Sequence, residues 1–191
     1  MRKFLLFHVE EVIGCGNSVI EQAMATIKEG DFLVWLDAGC KINKGGENRF
    51  QEYINMLNNS QYDVLGFQVK VKYSEIKWTT QRLFLAFGVE EGDVDITHTG
   101  QIQSGTLIFQ KGPHYRKWME LCRSVITMDP WMITDKFSSE SHSLNCLFIE
   151  NRHDQSIMSV AMKKLGWVSL TYVETLSAQL DRPFHVMRLK E

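Results

Sequence analysis

The 191-residue sequence predicts a single α/β domain with a mixed, mostly parallel sheet flanked by helices. Three observations carry this. Short apolar runs of strand length alternate with segments of helical periodicity along the whole chain. One run, "FLVWLD" (32–37), is continuously apolar, as a strand covered on both faces should be. No repeat, low-complexity run or linker interrupts the pattern, and the length suits one domain with a real core.

The elements follow in order. "KFLLFHV" (3–9) is expected as a strand, and "GCGN" (14–17) as a turn in which Asn17 or Ser18 caps the next helix. That helix carries apolar residues at 19, 20, 23, 24 and 27 and stops at Gly30. The strand 32–37 comes next, then "AGCKINKGGE" as a loop. "NRFQEYINMLNN" places Phe50, Tyr53, Ile54 and Leu57 on one helical face. "DVLGFQVKVK" (63–72) is a strand whose alternating end leaves the core. "SEIKWTTQRLFLAFG" reads as one helix ended by Gly88, and 89–103 as polar and irregular. "GTLIFQ" (105–110) is a strand, and "GPHYRKWMELCRSVI" a helix with Pro113 in its first turn. Residues 129–148 form a long Ser-rich loop containing Trp131 and Phe137, either a lid or a plain surface loop. "DQSIMSVAMKKLG" (154–166) is a helix with Asp154 at its start, "WVSLTYV" a last strand, and "RPFHVMRLKE" a tail that docks on the domain.

Composition narrows the function. A net charge of −2 supplies no basic field for nucleic acid or an anionic membrane surface. No segment approaches the roughly 20 apolar residues of a bilayer span, and the apolar run at the start is too short for a signal peptide. Cysteines 15, 40, 122 and 146 fit no metal or redox spacing. They are expected as free, buried thiols, which together with the missing leader predicts a cytoplasmic protein. Dinucleotide, P-loop, HExxH and GxSxG signatures are absent from the sequence.

Three segments could carry chemistry. Asp37 ends an apolar strand at the end where ligands of such sheets bind, and Ala38 and Gly39 leave room beside it. A strand-terminal Asp can also simply form an Asx-turn. In "THTGQIQSGTLIF", Gln101, Gln103 and Ser104 offer uncharged hydrogen-bonding groups suited to sugar hydroxyls, and Gly105 allows close backbone approach. In "ENRHDQS", Arg152 and His153 precede Asp154 at a helix start, where backbone N–H groups favour anions.

Together, "EGDFLVWLDAGCKIN", "GQIQSGTLIFQK" and "RHDQSIMSVAMKKLG", in this order, resemble GT-A-fold glycosyltransferases. The likeness is to the small enzymes of large DNA viruses of the chlorovirus type and of bacterial surface-polysaccharide clusters. It covers roughly residues 18–170. It implies a Rossmann-like GT-A domain that moves a hexosyl or deoxyhexosyl group from a nucleotide diphosphate sugar, with UDP as nucleotide, to a glycan or glycoprotein. On this resemblance Asp37 is the first acid of a DxD-type motif holding Mn²⁺ or Mg²⁺ and the donor diphosphate, with Ala38, Gly39, Arg152 and His153 beside the donor. Gln101, Gln103, Ser104 and Gly105 line the sugars, Asp154 is the active-site acid, and His185 mimics a C-terminal metal-binding histidine. Position 39 is Gly where the motif has its second Asp, so metal binding would rest on Asp37, phosphates and waters. Only 31 residues precede Phe32, so either the base-binding part is minimal or the chain is a trimmed domain. The alternatives are a non-catalytic carbohydrate or nucleotide-sugar binding module, and a phosphoryl-transfer enzyme that would need a second carboxylate such as Asp31 or Asp63.

Overall fold

The computed structural model describes residues 4–9 and 16–187, with side chains from 18 onward. In chain order the elements are β1 (Phe4–Val9), α1 (Gly16–Ala25), β2 (Phe32–Asp37), β3 (Cys40–Ile42), α2 (Glu47–Asn58), β4 (Val64–Gln68), α3 (Glu75–Trp78), α4 (Gln81–Ala86), α5 (Val94–Thr97), β5 (Ile102–Gln110), α6 (Pro113–Met128), α7 (Ser138–Leu144), α8 (Asp154–Leu165), β6 (Val168–Thr171) and β7 (Phe184–Val186). The main sheet has the order β1-β2-β5-β4-β6. β1 pairs parallel with β2, β6 pairs parallel with β4, and β5 runs antiparallel to both its neighbours. Four strands therefore point one way and one points back. This is the mixed, mostly parallel α/β sheet the sequence predicts.

The apolar run of β2 is explained by two cores. Leu33 and Trp35 face a layer made by α1, α6 and α8, with Ile20, Met24, Trp118, Cys122 and Val160 inside it. Phe32, Val34 and Leu36 face the other side, against Tyr53, Ile54 and Leu57 of α2 and Phe184 of β7. Alternate residues of one strand thus feed opposite cores, and every position must be apolar. β5 does the same, with Leu107 and Phe109 on one side and Ile108 on the other.

Several boundaries differ from the sequence expectation, each for a local reason. The 38–47 loop contains β3, which pairs antiparallel with β7 in a small second sheet. That pairing is how the tail docks. The helix expected over 74–88 breaks into α3 and α4, because Thr79 and Thr80 are extended. Thr79 donates its hydroxyl to Glu75 at 2.7 Å, and Thr80 caps α4 by accepting from the Leu83 N–H at 3.3 Å. β4 stops at Gln68, and 71–73 turn into a 3₁₀ helix that leaves Val71 66% exposed. β5 starts at Ile102, three residues earlier than expected, because Ile102 pairs with Gln68. The 129–148 stretch is ordered into a 3₁₀ turn at Pro130–Ile133 and helix α7; Phe137 is buried while Trp131 is exposed. Asn17 and Ser18 lie inside α1 and do not cap it, and residues 14 and 15 fall outside the described set. Of the thiols, Cys122 is buried, Cys40 half-buried and Cys146 exposed; Cys15 lies outside the described residues. Among the described residues, no helix is long and apolar enough to cross a membrane.

Candidate functional site

Antiparallel β5 brings its start to the same end of the sheet as the end of β2. Leu36 pairs with Thr106, so the next residues, Asp37 and Gly105, lie side by side. A Cβ added at Gly105 would sit 2.5 Å from Asp37 Oδ2, so only glycine lets the carboxylate lie against the β5 backbone. The neighbouring backbone is fixed from both sides. Trp35 Nε1 donates to the Ser104 carbonyl at 2.9 Å, and the Cys40 thiol donates to the Gly105 carbonyl at 3.2 Å. Asp37, Ala38 and Gly39 are exposed on this rim.

Helix α8 delivers the second carboxylate. Asp154 is its first residue and accepts from the Gln155 N–H at 2.8 Å. Burial pushes the Asp154 carboxyl above the usual carboxylate range. The negative charge of Asp37 pushes the same way, while the bond from Gln155 opposes it. The two carboxylates are therefore near enough for their charges to interact. His153, just before the helix, has φ of 51°, the sole non-glycine with positive φ among the described residues, and its Nε2 lies 3.1 Å from Asp135 Oδ1. Such backbone strain in a non-glycine residue persists only where the surroundings impose it. The Arg152 guanidinium stacks 4.3 Å from the Trp78 ring centroid and pairs with Glu150 at 3.1 Å.

A buried polar network holds α8 and β5 together beneath this surface. Ser104 Oγ donates to Gln155 Oε1 at 3.3 Å, and Gln155 Nε2 donates to Gln101 Oε1 at 2.9 Å. Gln101 Nε2 donates in turn to Glu75 Oε2 at 3.0 Å. Glu75 also accepts from Thr79 and Ser159 and pairs with Lys163 at 3.0 Å. Lys163 completes its shell on the carbonyls of Ile96 and Thr99. Burial lowers the Lys163 pKa, and Glu75 opposes that shift. Gln101, expected to bind sugar hydroxyls, is only 1% exposed and has both ends of its amide engaged here. It lies behind the site surface and positions Gln155. Gln103 and Ser104 remain half-buried on the surface, with Gln103 Oε1 accepting from Thr175 at 3.2 Å. The sequence reading missed Glu75, Gln155, Ser159 and Lys163. For three of them the signal was present in α8, where Gln155, Ser159 and Lys163 form a polar stripe at helical spacing among Ile157, Met158, Val160, Ala161 and Met162.

His185 is 8% exposed on β7, opposite Lys41, with its Nε2 2.9 Å from the Gln179 carbonyl. The tail nevertheless borders the Asp37 turn, since the Met187 N–H donates to the Gly39 carbonyl at 2.7 Å. Among the described residues no group of three or more His, Cys, Asp or Glu side chains could cage a metal ion. Mg²⁺ or Mn²⁺ needs fewer protein ligands when one or two carboxylates share it with substrate phosphates and waters, and Asp37 fits that donor set. Asp31 and Asp63, the other acids considered, stand at the opposite strand ends. Asp31 accepts from the Lys28 N–H at 3.0 Å, and Asp63 from the Tyr115 N–H at 3.0 Å.

No protein-family model matches this chain, and no curated protein sequence matches it. Among solved structures, the apo form of mouse xyloside xylosyltransferase 1 is similar to it, with a TM-score of 0.45 and 13% identity over 92% of this chain. The match spans 61% of the mouse chain's length.

Proposed function

We propose that the chain is a metal-dependent glycosyltransferase that moves a sugar from a nucleotide diphosphate sugar, with UDP as the nucleotide, to a hydroxyl of a glycan. The proximity of Asp37, at the ligand-binding end of β2, to Asp154, at the start of α8, supports this reading most strongly. Asp37, with Gly105 beneath it, would hold the divalent ion, which neutralises charge on the departing diphosphate when bound. Ala38 and Gly39 leave space for that diphosphate. In an inverting transfer the Asp154 carboxylate takes the proton of the acceptor hydroxyl. The acceptor oxygen then bonds to the anomeric carbon, and the bond from that carbon to the diphosphate oxygen breaks. The raised pKa brings Asp154 nearer to the working range of a general base. Ser104 and Gln103 stand at the mouth with groups suited to sugar hydroxyls.

Calorimetric titration of UDP with and without Mn²⁺ is the direct test. Binding that requires Mn²⁺ supports the reading, and equal or absent binding in both conditions rejects it. The Asp154→Asn variant should keep UDP affinity and lose turnover by about 100-fold or more, the range for losing a general base. Normal turnover in that variant would remove Asp154 from the mechanism. Gly105→Ala should weaken Mn²⁺-dependent UDP binding by about tenfold, because the new methyl displaces the Asp37 carboxylate. Unchanged affinity in the same titration would mean that the carboxylate position is not critical.

A second reading is a non-catalytic nucleotide-sugar or carbohydrate binding module, favoured by the single acid in the Asp37–Gly39 turn. Hydrolysis of UDP-sugars in the presence of Mn²⁺ separates the two, since a module binds without turnover.

A further inference from the structure

A ladder of rings and cations runs from the edge of the site. Lys72 Nζ lies 4.7 Å from the Tyr73 ring centroid, Tyr73 and Trp78 lie 5.9 Å apart, and Arg152 caps Trp78 at 4.3 Å. Lys70 stacks on Tyr172 nearby at 5.5 Å. The ladder is bolted to β5, which carries Gln103 and Ser104, and to α8, which begins at Asp154. The Gln101 N–H donates to the Tyr73 carbonyl at 3.0 Å, at the entry to β5. The Trp78 carbonyl accepts from the Arg152 N–H at 3.1 Å and from Ser156 Oγ at 2.7 Å, at the start of α8. Tyr73 is 39% exposed and Val71 beside it 66%, so that end of the ladder faces solvent, while Trp78 and Arg152 are half-buried.

Pyranose rings present apolar C–H faces that pack on aromatic rings, while ammonium and guanidinium groups select anions. The charge here is one-sided. Lys70, Lys72 and Arg152 line the ladder, and Glu150, paired with Arg152, is the acid in contact with it. Glu174, the next acid toward β7, is held by Arg49 and Arg182. We infer that the acceptor is an acidic glycan, bearing uronate or sulfate groups, laid along Lys72, Tyr73, Trp78 and Arg152 with its reacting end at Asp154. The placement of that end rests on the transferase reading, whereas binding to the ladder does not.

The test uses an oligogalacturonate hexasaccharide and the same chain with its carboxyl groups reduced to alcohols. Calorimetry on the full chain should show the acidic hexasaccharide binding about tenfold tighter than the reduced one, and binding that weakens with salt. Tyr73→Ala and Lys72→Glu should each lose about tenfold for the acidic chain. Both positions are exposed, so melting temperatures should stay within a few degrees. Equal binding of the two chains, no binding of either, or unchanged affinity in both variants would overturn the inference. Titration of UDP with Mn²⁺ on the unmodified protein keeps the failures apart. Acidic-glycan binding without UDP binding leaves the ladder standing and removes the transferase. UDP binding without glycan binding does the reverse.

Discussion

Asp37→Asn is expected to abolish the Mn²⁺ dependence of UDP binding, with a loss of affinity on the order of 100-fold. The substitution keeps size and shape but removes the charge that a hard cation seeks. Position 39 is Gly, so no second acid in the turn can compensate. Asp154, a nearby carboxylate, already accepts from the Gln155 N–H at 2.8 Å. Asp37 is exposed, so the fold should tolerate the change and the melting temperature should move little. Calorimetry of UDP with and without Mn²⁺ on both proteins checks this. A variant that still gains affinity from Mn²⁺ to the unmodified extent would remove Asp37 as the anchor, and the metal-dependent reading with it. The same experiment distinguishes a metal anchor from a plain strand-terminal turn residue, because a turn residue would change stability and leave the Mn²⁺ effect intact.

What was legible in the sequence was local. The apolar run ending at Asp37, the glycine at 105 and the helix opening at Asp154 all lie within short segments, and the sheet brings those segments to one end. What was not legible depends on distant partners. β3 and β7 are three residues each, too short for a period to register, and exist because Cys40–Ile42 meets Phe184–Val186 across the whole domain. The break between α3 and α4 could not be read from propensity. Thr79 leaves the helix to reach a buried Glu75, and nothing within "SEIKW" announces that Glu75 is buried. Gln101 misled for the same reason. An amide in a Gly-rich polar segment looks like a surface recognition group until its partners, at 75 and 155, are known. The carboxylate that supports the site from behind was therefore invisible, while the two on its surface were not.

That hidden carboxylate carries the largest expected stability effect. Glu75→Gln should destabilise the protein by about 3–5 kcal/mol, the range for breaking a buried ion pair by removing one charge. Glu75 is fully buried, and the side chain of Lys163 is 1% exposed, so the ammonium left behind has no counter-charge and little water. For a chain of this length, that loss lowers the melting temperature by about 10 °C. Lys163→Met should cost a similar amount by stranding the carboxylate. The double variant should cost less than the sum, because the two desolvated charges leave together. Additive losses in thermal denaturation would show that the ion pair is not coupled. The network also predicts a functional trace. Gln101 bridges Glu75 to Gln155, the residue beside Asp154, so loosening Glu75 should lower turnover more than it weakens UDP binding. Asp37 ends β2, whose position is set by its pairing with β1 and β5, so the metal-and-diphosphate end of the site should survive while the proton-accepting end loses its alignment.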